Sequence, residues 1–254
     1  MRLRQVALAS YGLDAVTRSL HDVFGLKVAY NDPHIIGYGL KNAVLPAGTG
    51  FIEVVEPVRE DASAGRFLKR RSGDAGYMVI LQVADAEAER ARAVELGVRV
   101  VDDIDTPAYR CAHFHPADFG GVLVSFDQQR TTPDYLEPYG DWMPAGPDWR
   151  AARTDQVLDL TAITLSSADP AALALRWSRL LNRSLDPFDP SRLPLDHGEI
   201  HFASGASDAG TSIASIDLKV DDVGQALTRA RAAGLDVAYH AVLIGGLRFR
   251  PVAR

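Results

Sequence analysis

YRCAHFHPADFGGVLVSFDQ, residues Tyr109 to Gln128, reads as a strand, a tight turn and a second strand. Arg110 to His115 is an extended run with aromatic and β-branched neighbours. Pro116-Ala117-Asp118-Phe119-Gly120-Gly121 is turn chemistry, because proline presets φ and the glycines reach positive φ without steric cost. Val122 to Phe126 is apolar enough for a strand buried on both faces.

Working outward, the hairpin closes a repeated unit. Upstream of it lie a strand at Tyr77 to Val83, an alanine-rich helix at Ala86 to Leu96 closed by Gly97, and a strand at Val98 to Val101. An earlier copy opens with a strand at Leu3 to Ser10. Leu13, Val16, Leu20, Val23 and Phe24 then recur at helical spacing up to Gly25, a C-terminal glycine cap. Lys27 to Tyr30, Gly37 to Leu45 and Phe51 to Glu56 follow as extended runs, which makes the order βαβββ. Arg59 to Asp74, between the two copies, is polar and holds a short helix around Gly65 to Arg71.

Downstream, a third copy spans Val157 to Ser204, with a strand at Leu158 to Ser166, a helix at Pro170 to Leu181 and a strand at Glu199 to Ala203. Proline-rich Leu185 to Leu195 is a poor strand former. A fourth begins at Ser212, with a strand at Ile213 to Val220, a helix at Val223 to Ala233, and strands at Leu235 to Tyr239 and Leu243 to Pro251. VDDVGQALTRARAAGLDV of the fourth copy aligns position for position with VADAEAERARAVELGVRV of the second, which argues for duplication from the chain alone. Arg130 to Arg153, rich in Pro, Gly, Asp and aromatics, reads as a linker. Tyr135, Tyr139, Trp142 and Trp149 within it imply that it packs on a surface, since bulky rings left in water are costly. The domains expected are 1–129, the linker 130–153, and a second, degenerate domain at 154–254.

Bulk properties narrow the function classes. A chain of 254 residues with 47% hydrophobic content suits one large domain or two ordinary ones. Net charge of −6 without a basic block argues against nucleic acid, and Lys69-Arg70-Arg71 reads as a solvated helix end. One cysteine, Cys111, excludes a disulfide framework and points to a reducing cytoplasm; in a strand it reads as a small buried hydrophobe. No apolar run approaches the length of a membrane helix, and the first ten residues have no signal-peptide core.

The hairpin motif HPADFGGVLVSF, with the modular order around it, resembles the vicinal oxygen chelate superfamily, which includes glyoxalase I, methylmalonyl-CoA epimerase, extradiol dioxygenases and bleomycin-resistance proteins. The motif is particularly similar to an epimerase-like pattern in which an acid follows Gly-Gly-Val-Leu two residues on; Ser125 stands at that acid's position. The resemblance implies an α+β, glyoxalase-like fold of four βαβββ modules in tandem, paired into two cupped mixed β-sheets. It also implies a divalent ion (Fe, Mn, Zn, Ni or Co) held by His, Glu or Gln from the first and last strands of each module.

Carried over singly, those positions give Gln5 in the first strand, Glu53 in FIEVVEP, Met78 where the second module usually has His, and Ser125 where it usually has Glu. A thioether is a poor ligand for a hard ion. His113 and His115, two apart in the hairpin, would share a face and could complete a metal set with Gln5 and Glu53. In the second pair the matching positions are Ala162, His201, Ser215 and Arg250, which make no cation site. Arg248 and Arg250 share a face, either binding an anion or standing solvated on an edge strand. Glu53, if unpaired by a cation in an apolar cup, would have a raised pKa and act as a general base. Gln5, Asn42, Met78, His113 and Ser125 would line the same small-molecule site.

Two readings follow. One is an enzyme, an isomerase, lyase or dioxygenase, with Glu53 as base or ligand and a metal aided by His113 or His115. The other is a metal-free protein that binds or sequesters a small molecule without catalysis, and the degenerate ligand set favours a pocket with no metal. The expected partner is a small molecule, with no nucleic acid and no membrane, and the chain is expected to be a monomer or homodimer, the second module pair replacing a dimer partner.

Overall fold

Strand-forming and helix-forming runs alternate along the chain, and the computed structural model, which describes residues 1–205 and 210–253, resolves them into two seven-stranded mixed sheets. The first copy contains β1 (Arg2–Ala9), α1 (Leu13–Phe24), β2 (Leu40–Ala47) and β3 (Gly50–Pro57), followed by α2 (Ser63–Arg71). The second contains β4 (Ala75–Gln82), α3 (Ala86–Glu95), β5 (Val100–Asp105), β6 (Tyr109–Phe114) and β7 (Leu123–Gln129). The third contains β8 (Val157–Ser167), α4 (Pro170–Leu181), β9 (Arg192–Pro194) and β10 (Glu199–Ser204). The fourth contains β11 (Ser212–Val220), α5 (Val223–Ala232), β12 (Val237–Ala238), β13 (Ala241–Ile244) and β14 (Leu247–Val252). The sheet orders are β2-β3-β1-β4-β7-β6-β5 and β12-β13-β14-β11-β8-β10-β9. In every copy the first strand pairs in parallel with the last, through β1·β3, β4·β7, β8·β10 and β11·β14, as a β-α-β crossover requires. Among the described residues no helix is long and apolar enough to cross a membrane.

Local chemistry accounts for the places where elements differ from the sequence expectation. Lys27 to Tyr30 is not a strand; it makes a single bridge, Tyr30 to Val44. The start of the expected run Gly37 to Leu45 instead lies in a 3-10 helix, Pro33–Tyr38. Pro33 suits a first helical position, the Asp32 carboxylate accepts from the His34 amide, and Gly39 ends the turn at φ +73°. Leu243 to Pro251 is a hairpin rather than one strand, because Gly245 and Gly246 both take positive φ between β13 and β14. Gly246 is also closely packed: a Cβ there would collide with the Asp74 carbonyl.

By compactness the chain divides into two units, and each draws on both halves of the sequence. One comprises Gln5–Tyr77, Pro144–Thr161 and Ala214 onward. In it the apolar stripe of α1 buries against β-sheet and α5: Phe24 meets Phe249 with ring centroids 6.1 Å apart, and Arg229 donates to the Val23 carbonyl at 3.2 Å. A second cluster, Ala9, Leu40, Val55, Ala62, Ala64, Phe67 and Leu68, seats α2 on β1 to β3. Trp149, fully buried, stands edge-on to Phe51 at 4.9 Å.

The other unit comprises Met1–Arg4, Met78–Met143 and Ala162–Ile213. Its centre is aromatic. Phe114, Phe119 and Phe126 pack on one another, and Trp177 of α4 meets Phe119 at 5.3 Å while its indole N–H donates to the Phe119 carbonyl at 3.0 Å. Trp142 is buried against Tyr109, beneath the Arg4 guanidinium. Two of the four linker aromatics, Trp142 and Trp149, are thus core residues, whereas Tyr139 is exposed.

Candidate functional site

Strand register places Glu53 at the centre of a polar group in the first of these units. In the parallel β1·β3 pair Gln5 lies opposite Phe51 and Ala7 opposite Glu53; in the antiparallel β2·β3 pair Val44 lies opposite Glu53 and Asn42 opposite Val55. Residues two apart share a face, so Gln5, Asn42 and Glu53 project to one side, among Ala7, Val44, Phe51 and Val55. The Gln5 amide donates to one Glu53 oxygen at 2.9 Å, and the Asn42 amide donates to the other at 2.7 Å. Asn42 is itself fixed, its side-chain oxygen accepting from the Asp32 amide at 2.8 Å. Only 7% of Glu53 is exposed, and both its hydrogen-bond partners are neutral.

Burial pushes the Glu53 carboxyl above the usual carboxylate range, and the nearby Asp32 charge adds to the rise. The two amide donors favour the charged form and offset part of it. A carboxyl with a raised folded-state pKa holds its proton in the fold at pH values where the unfolded chain has lost it. Its contribution to stability is therefore full below the unfolded value and lost as pH rises through the folded one. Glu53→Gln, which cannot ionise, should gain on the wild type over that window, by about 1.4 kcal/mol for each pKa unit separating the folded from the unfolded carboxyl. Urea unfolding of both proteins from about pH 4 to neutrality measures this. Curves that run parallel would remove the buried-acid assignment.

The remaining expected residues belong to the other unit. Met78 is buried on β4 opposite Leu123, and Ser125 sits on β7 between Ile80 and His113. The Ser125 hydroxyl donates to the Asp127 carboxylate, which also accepts from the Tyr109 hydroxyl. Nδ1 of His113 is 3.7 Å from an Asp102 oxygen, and Nε2 is 3.7 Å from the Cys111 sulfur. Burial lowers the His113 pKa and raises that of the Cys111 thiol, which favours the neutral form of each, while the Asp102 and Asp103 charges oppose the shift at His113. His115 lies beyond the end of β6, where its Nδ1 accepts from the Ala117 amide and faces the Arg99 guanidinium at 3.1 Å. It caps a turn, because Pro116 starts a 3-10 helix directly after it. The fourth copy's arginines are paired with acids, Arg250 with Asp217 at 2.8 Å and Arg248 with Asp236 at 2.9 Å.

Sequence reading missed Asp127, Tyr109 and Gln82, all buried and polar. Register puts Asp127 opposite both Cys111 and Gln82, on the same face as Ser125. A signal existed: Ser125, Asp127 and Gln129 are polar at every second position, the period of a strand whose one face is hydrogen-bonded.

A divalent ion of the kind the family resemblance implies needs about three oxygen or imidazole ligands. Both Glu53 oxygens instead accept amide hydrogens, and Gln5 meets Glu53 through its nitrogen rather than its carbonyl. Among the described residues no group of three or more His, Cys, Asp or Glu side chains is placed to hold a metal ion. The donor set does not fit that ion. A hollow of about 30 Å³ between α1 and α5, lined by Phe24, Gln156, Ala226 and Arg229, is large enough for water rather than a ligand.

Comparison with known proteins gives consistent results. The family model described as a glyoxalase-like domain matches residues 6–181. Methylmalonyl-CoA epimerase from Mycobacterium tuberculosis is 27% identical, over 50% of this chain and 87% of its own, with a TM-score of 0.46. Methylmalonyl-CoA epimerase from Streptomyces coelicolor, solved as a variant with 2-nitronate-propionyl-CoA, is 25% identical over 51% of this chain and 97% of its own, with a TM-score of 0.46. A variant of 4-hydroxymandelate synthase from Streptomyces coelicolor is 15% identical but covers 92% of this chain and 75% of its own at a TM-score of 0.68, a likeness of fold. No protein with a curated description matches.

Proposed function

We propose a function from one premise, that this chain belongs to the glyoxalase-like domain family of the vicinal oxygen chelate superfamily: the face around Glu53 takes a small organic molecule, and Glu53 moves a proton on it without a bound metal. The observation that carries this reading is the buried Glu53 carboxyl, gripped by two neutral amides and raised in pKa. A base whose pKa lies above that of a free carboxylate is better matched to proton transfer near neutral pH. Gln5 and Asn42 hold both oxygens in place, so the carboxyl loses no rotational freedom when it reacts. Val44, Phe51 and Val55 on the same face supply apolar surface for the body of the ligand. The reaction class is abstraction and return of a proton on carbon next to a carbonyl, as in an isomerase.

The amide grip favours one other reading. A carboxyl with both oxygens engaged is equally suited to act as a fixed hydrogen-bond partner in a protein that sequesters its ligand unchanged. Proton NMR in D2O, with chelator-treated protein and a panel of 2-oxo acids and thioesters, separates the cases. The proposal expects exchange of the carbon-bound proton to persist in chelator. Exchange that stops in chelator and returns with one divalent ion would overturn it, and saturable binding with no exchange would establish the second reading.

A further inference from the structure

The face that carries Glu53 is covered in the folded chain. Gln5, Asn42, Val44, Phe51, Glu53 and Val55 are all buried, so a molecule that lies on them needs a cover to move. The covers at its two ends are unlike. Over Val55 lies α2, nine residues long, which buries Ala64, Gly65, Phe67 and Leu68 and packs with Ala9 and Leu40 beside Val55. Over Phe51 lies the four-residue 3-10 turn Trp149–Ala152, which also rests on β2.

Trp149 is the one buried side chain of that turn, its indole edge-on to Phe51 with ring centroids 4.9 Å apart. Phe51 lies opposite Gln5 and precedes Glu53 by two residues on the same face, about 7 Å along the strand. The indole therefore fills the apolar surface next to the carboxyl. Asp148, at the N-terminus of the turn, makes no side-chain cap bond. Upstream, Gly146 stands between Pro144 and Pro147 at φ +76°, so close to Tyr30 that a Cβ would come within 2.6 Å of a ring carbon. A short turn seated by one buried side chain opens at lower free energy than a helix seated by four. The turn, Gly146, Tyr30 and the Glu53 face all belong to one compact unit.

We infer that residues 144–152 form a lid, with the Trp149 indole as a plug on Phe51, and that release of this plug controls access to Glu53. The lid regulates the site proposed around Glu53 and rests on that reading. Closed, it keeps the carboxyl buried and the apolar surface occupied. A ligand competes for Phe51 with a ring tethered to the same chain. Only the open fraction binds, and the apparent affinity is reduced by that fraction.

The first measurement needs no ligand. The full chain labelled with 5-fluorotryptophan carries three fluorine signals, from Trp142, Trp149 and Trp177. Saturation transfer should reveal a minor, solvent-exposed state for Trp149, populated at about 0.1–10%, and none for the other two. Gly146→Ala keeps Trp149 and the Glu53 face and forces the segment off Tyr30, so it should enlarge that state; Trp149→Ala removes the plug outright. In both variants the Glu53 carboxyl, followed by its carbon signal, should titrate closer to a free carboxylate, because water reaches it. Trp177→Phe, in the other unit, should leave that titration unchanged. In chelator, at substrate far below saturation, proton exchange on carbon should be roughly tenfold faster or more in Gly146→Ala. The lid is refuted by a Trp149 signal with no exposed state in both the wild type and Gly146→Ala, or by a Glu53 that titrates in Trp149→Ala as it does in the wild type. An opening lid over a Glu53 that exchanges no proton in any of these proteins would instead refute the acid–base role of Glu53 and leave the control of access standing.

Discussion

Glu53→Gln should slow proton exchange on carbon by about 10²–10⁴-fold, the usual contribution of a positioned general base. The glutamine keeps the volume and one acceptor oxygen of the original, so the loss reports proton transfer rather than collapse of the site. Asn42 cannot readily turn its amide to suit the new side chain, because its own oxygen is held by the Asp32 amide. Gln5 is then the residue expected to reorient, showing its carbonyl to the introduced N–H. If Glu53 works through its acidity, the rate falls while ligand affinity changes by less than the rate does. A variant that exchanges at the wild-type rate would remove Glu53 from the chemistry, and equal losses in affinity and rate would leave it only a role in binding.

Trp177→Ala should cost about 3–5 kcal/mol, the range for deleting a large buried aromatic. Trp177 is fully buried, meets Phe119 at 5.3 Å and Phe202 at 6.4 Å, and satisfies the Phe119 carbonyl with its N–H. Alanine removes all three interactions and leaves the carbonyl short of a donor. For a chain of this size the melting temperature should fall by roughly 6–20 °C. Trp177→Phe retains most of the ring contact and loses the N–H, so it should lie between the two. A drop below about 1 kcal/mol for the alanine variant, an ordinary effect of substitution, would mean that α4 does not depend on the hairpin turn that carries Phe119.

How far such details were visible beforehand differs from element to element. The bounds of α1 and α4 match the sequence expectation, Leu13–Phe24 and Pro170–Leu181. In α1 five apolar side chains recur at helical spacing and all five are buried, with Gly25 at φ +68° closing the end; in α4 Asp169 caps and Pro170 opens the first turn. Here local propensity, burial and capping agree, and nothing distant has to decide. Lys27 to Tyr30 looked extended by composition, but a strand needs a partner along its length, and the segment finds one at a single bridge. Pro33 then diverts the chain into a 3-10 helix.

The candidate site divides in the same way. Glu53 and Gln5 were found by resemblance to ligand positions, and Asn42 as a neighbouring polar group. What joins them is a register across three strands that no local pattern contains. Asp127 differs from Ser125, two residues earlier on the same face, in having no counterpart in the family pattern, and only the pairing of β7 with β4 and β6 shows it buried opposite Gln82 and Cys111.

From the chain alone came the module and its repetition, which are properties of order and spacing that a linear pattern carries without loss; the family and Glu53 as a candidate came from the resemblance of its motifs. Only the folded molecule decided that Gln5 and Asn42 grip Glu53 as donors, that His115 serves a turn rather than a site, and that Arg250 is paired with Asp217. Each of these depends on which strands lie side by side and at what offset. That offset comes from the packing of the whole chain, so it cannot be read from any one segment.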